Sequence, residues 1–306
     1  MKPIVVVGSV NTDMTVKVQR IPAPGETVIG GTFLMAQGGK GANQAVAAAR
    51  AGGAVAFVGR VGDDVFGEQA RENLRQDAIA IGHLATDPES STGVALIFVD
   101  DTGENSIAVA SGANAGVSVA DVDAARDLIA TAGVLLMQLE IPLPAVAAAV
   151  RIAAAHRVPI ILNPAPARSL DAELLQHVGI LTPNETEAER LTGIRVHDPD
   201  TAAAAARALL RCGIQRVSVT MGARGAYVAD ETGGAMVPAF AVAAVDATGA
   251  GDVFNGALAV ALTEEMGLLD AVRFANAAAA LSVTRRGAQP SAPRRLEIDD
   301  FLRRAC

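Results

Sequence analysis

The chain has 306 residues, of which 51% are hydrophobic and 19% are charged, a composition that excludes intrinsic disorder and allows a sizeable buried core. The formal net charge is -8 and no basic stripe is present, which argues against a nucleic-acid partner. Cys212 and Cys306 have neither metal-binding nor redox spacing, and no window has the length and apolarity of a membrane span or a signal-peptide core. We therefore expect a cytoplasmic protein with no membrane partner.

Short β-branched runs alternate with longer Ala- and Leu-rich segments, a pattern typical of a mostly parallel sheet with helices on both faces. Strands are predicted at residues 4–7, 54–58, 134–137, 159–162, 180–181 and 217–220. Helices are predicted at residues 42–51, 66–76, 119–130, 143–155, 171–177, 199–212, 253–265 and 268–284. This order predicts a single α/β domain over residues 1–306, built as three α/β/α layers.

Two segments, at about 12–35 and 92–110, interrupt this rhythm because their apolar residues recur at every second position, which is a strand pattern. The turn Asp100-Asp-Thr-Gly103 in the second segment predicts a hairpin. The two segments could form one small sheet that projects from the main sheet as a lid over a site. They could instead be two irregular edge hairpins packed on the core. We favour the lid, because the apolar faces of these strands must pack over another part of the molecule or over a ligand.

The most informative motif is the glycine-rich turn Asp246-Ala-Thr-Gly-Ala-Gly-Asp252, which runs directly into an apolar helical pattern. Gly249 and Gly251 allow close backbone approach to a ligand, and the start of a helix adds unpaired N–H donors, so the turn predicts an anion site. A carboxylate at position 252 could accept the proton of a hydroxyl group that attacks a phosphate. The alternative is that Asp252 is an ordinary N-cap residue after a glycine-rich loop.

A second glycine-rich stretch, Gly38-Gly-Lys-Gly-Ala-Asn43, precedes an Ala-rich helix. It offers close backbone approach, the cation of Lys40 and the bifunctional amide of Asn43. It is not a P-loop, because Gly41 rather than Ser or Thr follows the lysine. The dinucleotide-binding fingerprint is also absent from the sequence, which argues against an NAD-type oxidoreductase. The alternative for this stretch is a plain loop ahead of a helix.

Polar residues follow several predicted strands, and open α/β sheets bind ligands beyond the carboxyl ends of their strands. Asn11 and Asp13 follow the first strand and Glu140 follows the strand at 134–137, so these groups could grip the hydroxyls of a sugar. An Asx turn is an equally common role for the first two.

Asn184 and Glu187 open a short helix and could hold water on Mg²⁺ beside a phosphate. The alternative is an ordinary helix N-terminus that is rich in acidic residues. Taken by itself, the motif favours this alternative.

Together these motifs resemble the ribokinase (PfkB-like) family of carbohydrate kinases, and the likeness covers essentially the whole chain. The two signatures of the family are matched by residues 37–52 and 246–258. Further similar runs are Pro24-Gly-Glu-Thr27, Ser91-Thr-Gly-Val-Ala-Leu-Ile-Phe98, Leu136-Met-Gln-Leu-Glu140, Asn163-Pro-Ala-Pro-Ala-Arg168 and Thr182-Pro-Asn-Glu-Thr-Glu-Ala-Glu189. The resemblance implies ATP-dependent transfer of the γ-phosphoryl group to O5 of D-ribose.

Two other functions are compatible with the same scaffold. The first is a kinase of this family for another small sugar or a nucleoside, such as deoxyribose, and the residues that line the sugar site would decide between them. The second is a non-catalytic sugar-binding or regulatory protein. The presence of Asp252 and of the glycines of the anion site disfavours the second function.

The resemblance also implies a role for individual residues by their position. Asp252 would be the catalytic base, with an anion hole formed by the backbone of Gly249, Ala250 and Gly251. The sugar would contact Asn11, Thr12, Asp13, Gly39, Lys40, Gly41, Ala42, Asn43, Glu140 and Asp252. ATP would contact Asn184, Glu187, Thr220, Met221, Gly222, Ala223, Arg224, Gly225, Gly251, Asp252 and Asn276. Glu187 would complete the Asn-x-x-Glu motif that is linked to Mg²⁺ and phosphate.

A monovalent cation, K⁺, is a further feature that the resemblance implies. Its ligands would come from Asp246, Thr248, Ser282, Arg285, Gly287 and Ser291, and the ion would order the glycine-rich turn.

The sequence departs from the family pattern in two minor ways. At position 247 it has Ala where Thr is frequent, and at position 276 it has Asn, which would stack on adenine more weakly than His.

In this family the two alternating segments cover the sugar and pair with a second subunit, so a homodimer through the lid is expected.

Overall fold

The computed structural model describes residues 2–305, and Cys306 lies outside the described residues. The strands are β1 (Ile4–Val7), β2 (Asn11–Lys17), β3 (Thr32–Gly38), β4 (Val55–Gly62), β5 (Ala80–Asp87), β6 (Gly93–Val99), β7 (Asn105–Ala110), β8 (Val134–Met137), β9 (Ile160–Leu162), β10 (Ile180–Leu181), β11 (Arg216–Thr220), β12 (Ala226–Asp230) and β13 (Gly233–Val237). The helices are α1 (Lys40–Arg50), α2 (Val65–Gln76), α3 (Val119–Ala124), α4 (Arg126–Ala130), α5 (Leu143–Ala155), α6 (Ala172–Leu175), α7 (Glu185–Thr192), α8 (Pro199–Leu210), α9 (Ala250–Thr263), α10 (Leu268–Ser282) and α11 (Arg295–Arg304).

The main sheet has nine strands in the order β13-β12-β11-β10-β9-β8-β1-β4-β5. The pairings from β11 to β5 are parallel, and β12 and β13 add an antiparallel hairpin at one edge. Successive side chains of β1 point to opposite faces, so Ile4 and Val6 enter one apolar core and Val5 and Val7 enter the other. The predicted three-layer α/β/α fold with a mostly parallel sheet is therefore confirmed.

The two cores lie on opposite faces of this sheet and are built mainly from Ala, Val, Leu and Ile. One core packs the sheet against α1, α2, α9, α10 and α11, and the other packs it against α3, α4, α5, α6, α7 and α8. Leu136, in β8, is fully buried, and its truncation to Ala would cost about 2–5 kcal/mol because a cavity would remain. Within residues 2–305, no helix is long and apolar enough to cross a lipid bilayer.

The four strands β2, β3, β6 and β7 form a separate sheet, which we call the lid sheet, in the order β3-β2-β6-β7. Strand β2 pairs antiparallel with β3 and parallel with β6, and β7 pairs antiparallel with β6. The prediction of one small sheet is confirmed, and the alternative of two separate hairpins is wrong. The sheet exposes apolar side chains, among them Phe33, Leu34 and Leu96.

Several elements differ from their prediction, for local reasons. The predicted helix at 119–130 is divided into α3 and α4, because Ala125 has φ -98° and ψ 11°, outside the helical range. Helix α9 begins at Ala250 rather than at 253. The sequence pattern missed β5, β12, β13 and α11. Strand β5 lies at the edge of the sheet and begins Ala-Ile-Gly-His, without a β-branched run.

The centre of the main sheet contains the point where the strand order reverses. Strand β1 lies between β8 and β4, so the chain first builds the sheet outward to β5 and later builds it in the other direction from β8. Open α/β sheets bind ligands beyond the carboxyl ends of strands at such a point. The segments that follow β1 and β8 start at Gly8 and Gln138, and the fold therefore predicts a binding crevice between them.

Candidate active site

The segments that follow β1 and β8 are joined by the carboxylate of Glu140. Ser9 Oγ donates a hydrogen bond to Glu140 Oε2 (2.6 Å), and the backbone N–H of Lys40 donates to the same oxygen (3.0 Å). Gly39 precedes α1 with φ +86°, a conformation that glycine adopts readily. A Cβ atom at position 41 would lie 2.5 Å from the backbone nitrogen of Ser9, so glycine is required there too. The start of α1 is thereby fixed against the end of β1.

Asp252 lies at the start of α9, where two side-chain amides hold its carboxylate. The side chain is buried, with 7% of its surface exposed. Asn43 Nδ2 donates to Oδ2 (2.9 Å), and Gln44 Nε2 donates to Oδ1 (3.0 Å). The N-cap residue of α9 is Gly249, with φ +73°, so Asp252 is the third residue of the helix. The interpretation of Asp252 as an N-cap residue is therefore wrong.

A cavity of about 170 Å³ lies over the N-terminus of α9 and includes Asp252 in its wall. It is lined by Lys40, Asn163, Ala165, Thr182, Asn184, Glu187, Thr220, Ala247, Gly249, Ala250, Gly251, Asp252 and Asn255. A larger hollow of about 510 Å³ lies elsewhere, at the amino ends of β9 and β10, but most of its polar lining residues are exposed at the surface. The smaller cavity brings cationic, acidic and amide groups together at the carboxyl ends of the strands.

The first turn of α9 provides backbone donors to this cavity. Of the predicted anion-hole donors, the N–H of Ala250 already donates to the carbonyl of Ala247 (3.2 Å). No side chain caps this helix, and the N–H groups of Gly251 and of the next residue, Asp252, have no acceptor within it. A Cβ atom built on Gly251 would meet nothing within 4 Å, which leaves the space above this backbone open. Such donors, together with the positive end of the helix dipole, fit a phosphate group.

Lys40 is the cation among the acidic groups of the site. Burial disfavours its charged form, but four carboxylates outweigh that effect and raise the pKa of Lys40 above its ordinary value: those of Asp252, Glu140, Glu187 and Asp13. Burial, together with Glu140 and Asp252, raises the pKa of Asp13 from 3.8 to about 6, although Lys40 opposes the shift. The groups predicted to bind the sugar thus share one electrostatic environment with Asp252.

The remaining groups of the predicted sugar site are also buried near these carboxylates. The carboxylate of Asp13 packs over Gly38, where a Cβ atom would collide with it. Asn11 is buried, and its Oδ1 accepts a hydrogen bond from Asn114 Nδ2 (2.8 Å). Thr12 Oγ1 and Asn43 Oδ1 are buried oxygen atoms without a hydrogen-bond partner among the described residues. Asn43 bonds Asp252 through Nδ2, and its oxygen is enclosed by the protein. The other predicted contact here, Ala42, is buried in α1.

Asn184 and Glu187 combine a structural role with a place in the cavity wall. Asn184 Oδ1 accepts a hydrogen bond from the backbone N–H of Glu187 (2.8 Å), and Glu187 Oε2 accepts one from the backbone N–H of Asn184 (2.9 Å). This capping box begins α7. Burial raises the pKa of Glu187, although its bond from Asn184 and the charge of Lys40 oppose the shift. The helix-terminus interpretation is confirmed, and it leaves room for ligand binding because both residues line the cavity.

The other predicted nucleotide contacts extend away from this cavity along β11. Thr220 lines the cavity, and its backbone forms an isolated parallel β-bridge with Asn184. The next residues, Met221 to Gly225, form a tight turn in which the N–H of Met221 donates to the carbonyl of Gly225 (2.7 Å). Ala223 and Arg224 lie in this turn, and the Arg224 side chain bonds Glu185 and the carbonyl of His197. These turn residues do not line the 170 Å³ cavity.

Asn276, on α10, also lies outside the lining of that cavity. Its Nδ2 donates to the carbonyls of Val237 (3.0 Å) and Pro238 (3.2 Å), so its amide holds the end of β13. An interaction with adenine stays a prediction.

The predicted cation ligands lie on two loops that meet at Asp246. Its Oδ1 accepts a hydrogen bond from the N–H of Thr248 (2.9 Å) and its Oδ2 one from the N–H of Gly287 (2.8 Å). Burial opposes ionisation, but these hydrogen bonds outweigh it and hold the pKa of Asp246 below its ordinary value. A Cβ atom at Gly249 would lie 2.8 Å from Ala288 Cβ, so the second loop packs directly on the anion-site turn.

The other predicted cation ligands belong to the second loop and its flanks. The N–H of Arg285 donates to the carbonyl of Ser282 (2.9 Å) at the end of α10. The buried Ser291 Oγ donates to the carbonyl of Ala288 (2.7 Å). The structure thus joins Asp246, Thr248 and Gly287 directly and places the remaining three along the adjoining chain.

Several residues of the site were not predicted from the sequence. Asn163, Thr182 and Asn255 line the cavity, and Gln44 and Gln138 support Asp252 from behind. Asn163 directly follows β9, so the same strand-end rule that selected Glu140 could have found it. No spacing rule connects Gln44 to Gln138, because their contact is created by the pairing of β1 with β8.

Comparison with known proteins assigns the chain to a family. The model of the pfkB family of carbohydrate kinases matches residues 1–295. The chain belongs to this family. The ribokinase of Haemophilus influenzae is 45% identical over 304 residues, which cover 99% of each protein. The deoxyribokinase of Salmonella typhimurium is 38% identical over 300 residues, which cover 98% of each.

A solved structure of the pfkB family superposes over the same length. The ribokinase of Arabidopsis thaliana, complexed with ribose and ATP, has a TM-score of 0.91 and 34% identity, and the match covers 98% of each chain. The lid sheet and the main sheet of this chain are therefore those of a carbohydrate kinase of the family.

Proposed function

We propose that this chain is a ribokinase, which transfers the γ-phosphoryl group of ATP to O5 of D-ribose. The observation that carries the proposal is the position of Asp252. Its carboxylate opens onto a cavity beside unpaired helix N–H groups, and amides of Asn43 and Gln44 hold both of its oxygens. A proton acceptor next to an anion site is the arrangement that phosphoryl transfer to an alcohol requires.

In the proposed reaction, a sugar hydroxyl lies against the Asp252 carboxylate, which accepts its proton. The hydroxyl oxygen forms a bond to the γ-phosphorus while the bond from that phosphorus to the β–γ bridging oxygen breaks. The products are D-ribose 5-phosphate and ADP, and the proton remains on the carboxylate until solvent removes it. A general base of this kind contributes about 10²–10⁴-fold to the rate.

The charge that develops on the phosphoryl oxygens would be stabilised from two sides. The N–H groups of Gly251 and Asp252 point from the start of α9 toward the cavity, and Lys40 lines the same cavity. The raised pKa of Lys40 keeps its ammonium charged when carboxylates and phosphates surround it. On the sugar side, the partly exposed carboxylate of Asp13 offers an acceptor for hydroxyl groups.

The side chains of the described residues could hold Mg²⁺ only when a phosphate group supplies further oxygen ligands. No three Asp, Glu, His or Cys side chains within residues 2–305 form a ready set of ligands for one metal ion. Glu187 and Asn184 line the cavity and would hold the ion through its water shell. Bound there, Mg²⁺ would neutralise charge on the β- and γ-phosphate oxygens.

A monovalent cation has a separate proposed place, where the loop of Asp246 meets that of Gly287. The ionised carboxylate and the backbone carbonyls of these loops are hard oxygen donors, as K⁺ requires.

We also propose that residues 1–306 act as one catalytic unit, since both apolar cores share the main sheet.

The test of the proposal is the variant Asp252→Asn, followed by ADP release with ATP, Mg²⁺ and D-ribose. We expect kcat to fall by about 10³-fold or more, while calorimetric titration still detects ribose and ATP binding. The matched control is Asp270→Asn, because Asp270 is also the third residue of a helix with a glycine N-cap, but is exposed and remote from the cavity. Wild-type turnover by Asp252→Asn would overturn the assignment of the base.

Deoxyribose is the second candidate substrate, and the 38% identity to the Salmonella typhimurium deoxyribokinase favours its inclusion. A panel of pentoses, measured as kcat/KM with and without K⁺, separates the two functions. We expect D-ribose to be preferred, because its one additional hydroxyl group, at C2, can pair with an acceptor of the proposed sugar site such as the Asp13 carboxylate. A higher kcat/KM for 2-deoxyribose would replace the proposed substrate without affecting the chemistry.

A further inference from the structure

Behind Asp252, on the side away from the cavity, lies the fully buried side chain of Gln44. Its Nε2 donates to Asp252 Oδ1 (3.0 Å) and to Asn163 Oδ1 (3.2 Å). Its Oε1 accepts a hydrogen bond from Gln138 Nε2 (2.5 Å). The amide therefore uses both of its donor hydrogens and its acceptor oxygen, and each partner is buried.

The carboxylate of Asp252 fixes which way the Gln44 amide points, because an ionised carboxylate can only accept hydrogen bonds. If the Gln44 amide were flipped, its oxygen would face the oxygens of Asp252 and Asn163. Gln138 directly follows β8 and packs over Gly8, where any Cβ atom would collide with its Oε1. The side chain of Gln138 is thus held between the ends of two strands of the main sheet, where it donates to the oxygen of Gln44 and keeps its own Oε1 buried without a partner among the described residues.

We propose that Gln44, supported by Gln138, is a positioning residue for the proposed phosphoryl transfer. It acts through Asp252, and the inference therefore rests on the proposed function. Its hydrogen bond would fix the plane of the carboxylate, and with it the direction in which the carboxylate meets the hydroxyl group. Asn43 holds the other carboxylate oxygen. Gln44 is fully buried and does not line the cavity, so its contribution should appear in catalysis and not in sugar binding.

The variant Gln44→Met tests this division of roles, since Met has a similar volume and no donor. We expect kcat for D-ribose to fall about 10–100-fold, which is the loss that one hydrogen bond to a charged group gives. The KM for ribose should stay within about twofold. A merely structural defect in the floor of the site would disturb ribose binding as well, and would raise KM together with the loss of kcat.

The decisive control is the same substitution in the Asp252→Asn background. If Gln44 acts through Asp252, Gln44→Met/Asp252→Asn has the same residual kcat as Asp252→Asn alone. Equal proportional losses in both backgrounds, or a wild-type kcat for Gln44→Met, would overturn the inference. A lack of ribose-dependent ADP release by the wild-type protein would instead overturn the proposed function, so the two failures are distinguishable.

A second variant, Gln138→Met, covers the case in which Gln44→Met does not fold. It leaves the bond to Asp252 in place but removes the donor to Gln44 Oε1. We expect a smaller loss of kcat, about 3–10-fold, with an unchanged ribose KM. A Gln138→Met enzyme with wild-type kcat would contradict the role of the Gln44–Gln138 pair.

Discussion

Asn184 and Glu187 bond to each other's backbone N–H groups, at 2.8 and 2.9 Å, while both side chains line the cavity beside Asp252. One pair of residues therefore begins α7 and also presents polar groups to a ligand. The structural and the functional interpretation of this motif are not exclusive, and a conservative substitution can separate them.

The variant Glu187→Gln should keep the fold and weaken the response to Mg²⁺. Gln completes a capping box as Glu does, so we expect Tm to change by no more than about 2 °C. The loss of one negative charge should raise the Mg²⁺ concentration for half-maximal activity several-fold, since water-shell contacts to the ion depend on that charge. A magnesium titration of ADP release measures this.

Glu185→Gln is the control, because Glu185 lies in the same helical turn but pairs with Arg224 and does not line the cavity. An unchanged magnesium curve for Glu187→Gln would leave this residue with only its helix-capping role.

Asp13 should make sugar affinity dependent on pH. Burial raises its pKa to about 6, so its carboxylate is ionised only above that pH. An ionised carboxylate accepts hydroxyl donors at both oxygens, and we expect the Kd for D-ribose to increase about tenfold for each unit that the pH falls below 6. Calorimetric titration from pH 5 to 8 measures the effect. Asp13→Asn should bind ribose weakly at every pH, and an equally steep pH dependence in that variant would assign the titration to another group.

The same carboxylate should reduce stability at neutral pH. Its native pKa, about 6, lies above the ordinary value of 3.8, so the native state binds the proton more tightly than the unfolded chain. The contribution is therefore neutral below about pH 4, becomes unfavourable between pH 4 and 6, and is fully unfavourable above pH 6. We expect Asp13→Asn to raise the free energy of unfolding by on the order of 2–3 kcal/mol at pH 8 and by little at pH 4. Urea unfolding at the two pH values gives the comparison.

The lid sheet is the proposed contact of a homodimer. Phe33 and Leu34 are adjacent in β3, point to opposite faces of the sheet and are 60% and 58% exposed. We expect light scattering at micromolar concentration to give twice the chain mass of 31.1 kDa. Phe33→Glu/Leu34→Glu should give a monomer, whichever face forms the contact, because a charge would be buried there. Leu296→Glu, on the exposed surface of α11, should remain a dimer. A monomeric wild-type protein would contradict this prediction.

The loops that meet at Asp246 should make activity depend on a monovalent cation. We expect kcat to rise several-fold when K⁺ replaces a bulky organic cation at constant ionic strength, because the ion would order the turn at Gly249. Asp246→Asn should lose most of that response. Asp230→Asn is the matched control, since Asp230 also accepts a hydrogen bond from the N–H group two residues later (2.8 Å) but is the last residue of β12, before the β12–β13 turn. An equal K⁺ response of wild type and Asp246→Asn would place the cation elsewhere.

The arrangement of the layers was predictable because it depends on periodicity. Alternating residues of β1 divide between the two cores, and the alternation at 12–35 and 92–110 marks the lid sheet. Edge elements were not predictable in the same way. Strand β5 is partly exposed and its sequence lacks the apolar run of a buried strand.

The role of Asp252 could not be decided from the sequence, since both interpretations require an acid at the start of a helix. The difference is where the helix begins. The left-handed conformation of Gly249 starts α9 at Ala250, which places Asp252 inside the first turn with its side chain toward the cavity. Gln44 and Gln138 are 94 residues apart, and only the completed sheet brings them together.

Asn11 and Asp13 belong to β2, a strand of the lid sheet, and are not on the rigid floor of the crevice. Displacement of that sheet therefore displaces two sugar-binding candidates with it. If the lid sheet also joins two subunits, and association favours the lid position that binds sugar, the two equilibria are linked and each strengthens the other by the same factor. Dilution of the protein is then expected to weaken its hold on the pentose, and saturation with pentose is expected to slow the separation of the subunits.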